Sequence, residues 1–468
     1  MTVDRNLGYP LHEHVLRNGL RVIVSPDRSA PVVAVNLWYH VGSKDERPGQ
    51  TGVAHLFEHL MFQGSANVAS GEHLGVLQAN GASVNATTWF DRTNYFEAVP
   101  TGALDLALWL EADRMATTTP ISQENLDTQR SVVKEEKRQR YDNVPYGDVI
   151  EHLLRLTFPE DHPYGHPTIG SMADLDAFTT ESAAEFFDRF YVPGNCVLTL
   201  VGDIEPRDGF SRAKHFFGGI EGRDLPVRAP VAPLPPLEGI PRAVAVAPVP
   251  ASAVYLSWRL PPHGTREFDA CEIALDILGG SEAARLYRRL VHDDEIAENA
   301  GAAAMGLVEG TSFGFAFARA IKGTSLALLE DALIEQIRRL ADEGPTDVEL
   351  ARVKIQFERQ WLEQLARFDS RADLFGAYAT LHGDPGLVNT RIAEIASVTG
   401  EEVRAAAATY LRPENRGVLR YERGPLGGYA AASDDEGGTS RTPDTTRPAD
   451  STETDATQTD ATEKGAQA

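Results

Sequence analysis

The hexapeptide HLFEHL at residues 55–60 combines three side chains that together could do hydrolytic chemistry. His55 and His59 stand four residues apart, so on a helix their rings share one face about one turn apart, where two imidazoles can hold one tetrahedral zinc ion. Glu58 is offset from that pair and can take a proton from a water molecule on the metal during attack on a carbonyl. A catalytic zinc ion normally takes three protein ligands, so a third ligand must come from elsewhere.

An ordinary helix could also carry these residues, since a histidine on an apolar helix is usually a satisfied core residue. The flanking residues Leu56, Phe57, Leu60 and Met61 are apolar, and three ionisable groups among them are costly to bury unless they are paired or bind a metal. The order H-x-x-E-H is also the inverted form of a zinc-peptidase motif. The pattern therefore favours a metal site over three unrelated polar residues.

The elements that must position this motif are predicted from the hydrophobic patterns. The motif helix at 51–64 follows a strand at 30–43 that is rich in β-branched and aromatic residues, and it precedes a strand-like stretch at 82–100 with a polar break at Asp91 and Arg92. The other elements predicted for this half are a hairpin at 14–26, helices at 103–116 and 122–142, and a strand at 196–204.

The order of strand, polar loop and apolar helix recurs at residues 252–280, where the helix reads ACEIALDILGG and lacks HxxEH. A segment with six prolines, residues 225–241, separates the two occurrences and can form neither a helix nor a central strand. The sequence thus predicts an α+β protein of two homologous domains, 1–224 with the zinc site and 242–425. The Thr/Asp-rich acidic tail, residues 426–468, is predicted to be disordered.

Composition excludes several classes of function. The 468 residues carry a net charge of −24, which argues against nucleic acid as a partner. Cys196 and Cys271 are the only cysteines and form no paired motif, which indicates a reducing compartment. The N-terminal residues show no apolar signal-peptide region, and no apolar run is long enough to cross a membrane. We therefore expect a cytoplasmic protein without a membrane partner.

Four blocks of the sequence carry a resemblance to a known family: NLWYHVGSKDERPGQTGVAHLFEHLMFQGS, NATTWFDRTNYFEAVP, HPYGHPTIGS and FYVPGNCVLTLVGDI. They resemble, in this order, the inverted-zincin (HxxEH) metallopeptidases, the family of pitrilysin, insulysin and mitochondrial processing peptidase. By its length the chain is similar to the bacterial processing-peptidase-like branch, whose members pair two such chains into a clam-shell. The resemblance implies an endopeptidase with one Zn²⁺ per chain that hydrolyses short or unfolded peptides inside a chamber.

The resemblance also implies further site residues. The family takes its third zinc ligand from a glutamate on a later helix, and the stretch QRSVVKEEKRQR places that ligand at Glu136, with Glu135 as the alternative. The family often has another glutamate seven residues earlier, where this chain has Gln129, which weakens a role for that position in orienting a ligand. Asn85 and Ala86 fall in the family's A-N-A-x-T strand, which implies that a substrate adds as a strand beside the zinc.

A partner subunit is implied by what the second half lacks. Self-sufficient members of the family carry there an arginine and, seven residues on, a tyrosine that bind substrate across from the zinc; this chain has Val291 and Glu298 at those positions. The resemblance thus implies a heterodimer with a homologous subunit that lacks HxxEH but carries the Arg/Tyr pair, with a homodimer as the alternative. The family also includes non-catalytic chains, so a peptide-binding or structural subunit is the alternative function.

Overall fold

The computed structural model describes residues 6–116 and 121–424. The first sheet contains β1 (His12–Val15), β2 (Arg21–Pro26), β3 (Val32–Tyr39), β4 (Ser83–Thr88), β5 (Thr93–Pro100) and β6 (Cys196–Gly202). These strands lie in the order β1-β2-β6-β3-β5-β4, in which β2 and β6 are parallel and the other neighbours are antiparallel. β4 therefore lies at an edge of the sheet.

The second sheet repeats the order of the first. It contains β7 (Arg242–Ala247), β8 (Ala253–Leu260), β9 (Ala297–Met305), β10 (Ser312–Ala320) and β11 (Gly417–Arg423). Their order is β7-β11-β8-β10-β9, with β7 and β11 parallel. This order matches β2-β6-β3-β5-β4 strand for strand, so β4 and β9 are equivalent edge strands. The repeat seen in the sequence is therefore a repeat of topology.

The helices follow the same division. The first half contains α1 (Val53–Leu60), α2 (Glu72–Ala79), α3 (Leu104–Ala116), α4 (Gln123–Lys137), α5 (Val149–Thr157), α6 (Met172–Ala177), α7 (Thr180–Phe190) and α8 (Pro206–Phe217). The second half contains α9 (Arg266–Gly279), α10 (Leu326–Glu343), α11 (Asp347–Ala366), α12 (Phe368–Leu381), α13 (Leu387–Ser397) and α14 (Gly400–Tyr410). α1 follows β3 as α9 follows β8, so these two helices occupy equivalent places.

The two halves exchange helices across their sheets. α12 of the second half covers β3 and β6 of the first sheet, where Gly376 lets the helix approach Trp38 so closely that a Cβ atom would lie 2.6 Å from the indole ring. In return, α5 of the first half covers β8 and β11 of the second sheet, and Leu153 and Leu154 share an apolar cluster with Tyr255. The central strands of each sheet are thus buried on both faces, which explains the nearly continuous apolar sequence of β3, β6 and β8.

A polar seam joins the tips of the β4–β5 and β9–β10 hairpins. The hydroxyl of Tyr164 donates to Oδ1 of buried Asp91 at 2.5 Å, and the N–H of Val308 donates to Oδ2 at 3.3 Å. The buried Lys44 ammonium lies 2.7 Å from the Glu309 carboxylate. Contacts between paired, buried polar groups are expensive to break. The seam therefore anchors β4 and β5 against the second half.

The predicted α+β fold with two halves is confirmed, and its elements differ from the predictions in detail. The polar break at Asp91 and Arg92 is the turn between β4 and β5, and the stretch 122–142 is α4 followed by a π-helical turn at Arg138–Asp142. Residues 225–241 contain no regular element. The predicted domain boundaries and the clam-shell pairing stay predictions, and the predicted disordered tail lies outside the described residues. Within residues 6–116 and 121–424, no helix is both long and apolar enough to span a bilayer.

Candidate active site

α1 is fixed at its N-terminal end and along its apolar face. The carboxylate of Glu46 accepts the N–H groups of Gly52 at 2.9 Å and Ala54 at 2.7 Å. These bonds satisfy donors that the first turn of a helix leaves unpaired. Leu56 and Phe57 are buried in the core of the first half. The opposite face of this short helix is thereby held toward α4.

His55 and His59 meet Glu136 of α4 on that face. The Nε2 atoms of His55 and His59 lie 3.7 Å and 3.5 Å from Oε2 of Glu136. One ligand atom from each residue falls within 4.8 Å of the other two. The three side chains are 14%, 23% and 18% exposed, so the group is recessed but open to solvent.

The neighbouring Glu135 points elsewhere. Its carboxylate accepts a hydrogen bond from Arg138 at 3.1 Å and another from Gln139 at 3.0 Å on the exposed side of the helix. Adjacent residues of a helix project about 100° apart, so α4 can direct only one of the two glutamates at the histidines. The structure brings Glu136, and not Glu135, to them.

The group fits a zinc ion by the chemistry of its donors. Two imidazole nitrogens and one carboxylate oxygen are a ligand set that catalytic zinc sites use, with a further position left for water or substrate. Burial, and then the neighbouring His59, lowers the pKa of His55 to about 4. At neutral pH this ring is therefore uncharged, which is the form that binds a cation.

Glu58 lies beside this group rather than in it. Its Oε2 atom accepts the hydroxyl of Thr88 on β4 at 2.5 Å. Burial raises the pKa of Glu58 above its ordinary value. A carboxylate with a raised pKa takes up a proton more readily than an ordinary one. Glu58 therefore lies beside the three candidate ligands, in surroundings that suit a general base.

The edge strand β4 runs next to Glu58. Thr88, which holds Glu58, lies two residues beyond Ala86 and on the same face of the strand. Asn85 is exposed, and its side-chain oxygen accepts the N–H of Ala86 at 2.9 Å. An exposed edge strand can pair with an added peptide. The predicted substrate-binding role of Asn85 and Ala86 stays a prediction, with a geometry that suits it.

Two consecutive segments of the chain match protein-family models. Residues 21–171 match the model described as insulinase (peptidase family M16), and residues 177–357 match the model described as the peptidase M16 inactive domain. Together the matches span most of the chain. The chain belongs to peptidase family M16.

Individual M16 relatives agree with this assignment. The zinc protease PqqE of Helicobacter pylori is 27% identical over 421 residues, which are 86% of this chain and 93% of that protein. The crystal structure of a protease from Helicobacter pylori superposes with a TM-score of 0.82 at 25% identity, covering 88% of this chain and 99% of that one. The periplasmic protease PqqL of Escherichia coli matches in fold, with a TM-score of 0.71 at 18% identity. The superposed region includes 88% of this chain and 47% of the PqqL chain.

The two M16 matches cover different sets of the predicted site residues. His55, Glu58, His59 and Glu136 all lie within the insulinase match. The predicted positions of the missing donor pair lie in the second half, with Val291 in a π-helical turn and Glu298 on the edge strand β9. Gln129 lies buried on α4, two turns before Glu136.

Three residues that support the candidate site were not predicted from the sequence. Glu46 caps α1 from the preceding loop, and Thr88 holds Glu58 from β4. Arg140 contacts the second oxygen of Glu136, with its Nη1 atom 2.7 Å from Oε1. Thr88 had a signal, since it is the threonine of the A-N-A-x-T pattern. Arg140 also had one, since it stands four residues after Glu136.

Proposed function

We propose that the chain is a zinc-dependent endopeptidase of family M16 that hydrolyses short or unfolded peptides. The observation that carries this proposal is the convergence of His55, His59 and Glu136, with ligand atoms within 4.8 Å of one another, at the side of Glu58. Three ionisable residues recessed on one helix pair would be costly without a bound cation or pairing among themselves. Their arrangement beside an open strand edge supports chemistry on an extended peptide.

The residues divide the reaction between them. A zinc ion held by His55, His59 and Glu136 would supply Lewis acidity, which acidifies water and polarises a carbonyl. Glu58 accepts the proton of the attacking water while the new carbon–oxygen bond forms. It then passes that proton to the departing nitrogen as the carbon–nitrogen bond breaks. Thr88 fixes one oxygen of Glu58 and leaves the other for the proton.

The geometry of β4 supports the proposed substrate class. A peptide that pairs with the free edge of β4 must be extended, because main-chain hydrogen bonds of a strand require it. Such pairing tolerates many side chains, so unfolded segments and short peptides fit and folded domains do not. Asn85 and Ala86 would line this pairing, and Glu58 would meet the peptide bond that lies next to Thr88.

A non-catalytic, peptide-binding subunit is the second candidate. It is favoured by the match of residues 177–357 to a domain described as inactive. That match lies outside the residues that form the candidate site, which are complete in the first half. The enzyme is therefore the better-supported proposal. The two differ in their need for zinc, since a binding subunit would hold peptide without it.

A partner chain belongs to the proposal. Val291 and Glu298 cannot donate as an arginine and a tyrosine do, so we propose a heterodimer with a homologous subunit that lacks HxxEH and carries that pair. A homodimer is the alternative. The finding that this fold corresponds to 47% of the longer PqqL chain supports an assembly of two such units. A cytoplasmic location is proposed because Cys196 and Cys271 are buried free thiols.

The test is peptide profiling with purified protein. The zinc-loaded chain is incubated with a proteome-derived peptide mixture, alone and with a homologous partner chain, and new termini are identified by mass spectrometry. We expect cleavage that stops with a chelator and returns with Zn²⁺. Peptide binding without cleavage under every one of these conditions would favour the non-catalytic subunit.

A further inference from the structure

Two adjacent glutamates of α4 each pair with an arginine one turn later, and the two pairs differ. Glu135 and Arg138 are 54% and 49% exposed and form a surface pair at 3.1 Å. Glu136 is only 18% exposed, while its partner Arg140 is 73% exposed and lies 2.7 Å from it. Surface pairs of the first kind are worth little. The second pair joins an exposed cation to a recessed carboxylate of the candidate metal site.

The carboxylate of Glu136 is shared between two sets of partners. Oε2 faces the imidazole nitrogens of His55 and His59, and Oε1 faces the guanidinium of Arg140. Arg140 therefore sits at the open side of the group, one carboxylate away from the place of a metal ion. A guanidinium has five N–H donors. The contact with Glu136 is made through one nitrogen, Nη1, and the exposure of the side chain leaves other donors facing solvent.

The backbone around Arg140 is fixed in an unusual form. α4 ends at Lys137 and continues as a π-helical turn, Arg138–Asp142. Such turns are rare and occur frequently at functional sites. Gly147 packs against this turn so tightly that a Cβ atom there would collide with the carbonyl oxygen of Tyr141. The turn that presents Arg140 is thus held by packing as well as by the ion pair.

The proposed peptidase needs a donor for the carbonyl oxygen that gains negative charge during attack. Donors aimed at that charge often supply a large share of catalysis. The second half has Val291 and Glu298 where the resemblance places an arginine and a tyrosine. Valine has no donor, and the carboxylate of Glu298, on the edge strand β9, would repel an oxyanion. An arginine is already present beside the metal group in the first half.

We propose that Arg140 is a catalytic residue that donates to the oxygen of the scissile carbonyl as it becomes an oxyanion. This inference rests on the proposed peptidase function and extends it. As the water oxygen bonds to the carbonyl carbon, the carbonyl electron pair moves onto its oxygen, and Arg140 stabilises that charge with N–H groups that Glu136 leaves free. The proton of the water goes to Glu58. The donor thus belongs to the same chain as the base, whichever subunit is its partner.

Three variants separate this role from a structural one: Arg140→Gln, Arg140→Lys and, as the matched control, Arg138→Gln in the neighbouring pair. Each is compared with wild type for zinc per chain, for kcat and KM on a short fluorogenic peptide, and for the affinity of a phosphinic peptide of the same sequence. The phosphinic group carries a tetrahedral anion, which the uncleaved peptide lacks. Binding of the uncleaved peptide is measured in a Glu58→Gln background.

We expect Arg140→Gln to keep its zinc and to lose about 100-fold or more in kcat and in phosphinic-peptide affinity, the usual size of a lost oxyanion donor. KM and binding of the uncleaved peptide should stay within about threefold, Arg140→Lys should recover part of the loss, and Arg138→Gln should match wild type. Unchanged kcat and phosphinic-peptide affinity in Arg140→Gln, or loss of its zinc, would overturn the proposal. If wild type neither binds zinc nor cleaves any peptide, the proposed function fails instead.

Discussion

α1 and α9 occupy equivalent places in the two halves. Each packs against a longer helix of its own half, α4 for α1 and α11 for α9. α4 covers α1 and brings Glu136 to two imidazoles. α11 covers α9 and brings Arg352 near the carboxylate of Asp276, a charge that opposes the effect of burial on the pKa of that acid. Equivalent helix pairs thus form a candidate metal site in the first half and, in the second half, place an arginine near an acid whose pKa burial raises to about 7.

The two helices differ in whether their ionisable side chains are paired within the fold or face solvent. On α9, both carboxylate oxygens of Asp269 accept hydrogen bonds from Arg391 of α13, at 2.6 Å and 2.7 Å. The charge of Asp269 is therefore neutralised inside the second half. On α1, the two histidines face an opening and meet one carboxylate. A shared fold therefore does not carry the chemistry, which depends on a few side chains on one copy of the repeat.

The largest expected effect is a loss of peptide hydrolysis on changing Glu58 of α1 but not Glu272 of α9. Glu58→Gln keeps the shape of the side chain and removes its ability to accept a proton. Peptide hydrolysis should fall by at least about 100-fold while zinc content is unchanged. The matched variant in the other half, Glu272→Gln on α9, should hydrolyse peptide like wild type. Equal activity of Glu58→Gln and wild type would end the assignment of Glu58 as the base.

The second effect compares the two glutamates of α4. Glu136→Gln removes a ligand charge, so we expect zinc affinity, measured by competition with a chelator, to fall by at least about 10- to 100-fold. Glu135→Gln should leave that affinity within error, because Glu135 is bonded to Arg138 and Gln139 instead. Loss of zinc affinity in Glu135→Gln but not in Glu136→Gln would make Glu135 the ligand and contradict the position of Glu136 beside the histidines.

The smallest effect concerns stability and pH in the second half. Burial, and then the nearby Asp276, raises the pKa of Glu272 to about 7. The folded protein therefore keeps a proton that the unfolded chain loses between about pH 4.5 and 7, so stability falls as pH rises through this window, and the loss is complete above it. At pH 8, Glu272→Gln should raise the free energy of unfolding by about 1–2 kcal/mol, with little change at pH 5.

The control for this experiment is Glu267→Gln, an exposed position on the same helix. Chemical denaturation at pH 5 and pH 8 measures both variants against wild type. A gain of stability that is the same at the two pH values would show that packing, and not the retained proton, is the cause.

The parts of the fold that the sequence predicts are those with local signals. β3, α1 and β6 were predictable because apolar periodicity and turn residues are written within each segment. The repeat was predictable because strand, loop and helix recur in one order. The proposed metal ligands were predictable because their i,i+4 spacing is local, and Glu136 followed from the resemblance.

Other features depend on contacts between distant residues, which no local pattern encodes. The exchange of α5 and α12 between the sheets joins segments that lie far apart along the chain, and both helices have ordinary sequences. Thr88 reaches Glu58 across 30 positions. The seam between Asp91 and Val308 spans 217 positions. These contacts were decided by tertiary packing, so only the structure reveals how the site is supported.

The zinc content of the purified chain tests the candidate metal site most directly. Metal analysis after loading with Zn²⁺ and removal of the excess should give one zinc per chain for wild type and for Glu58→Gln. His59→Ala removes one of the three donors and should retain almost none. Wild-type protein without zinc, or His59→Ala with as much zinc as wild type, would contradict a metal site at His55, His59 and Glu136.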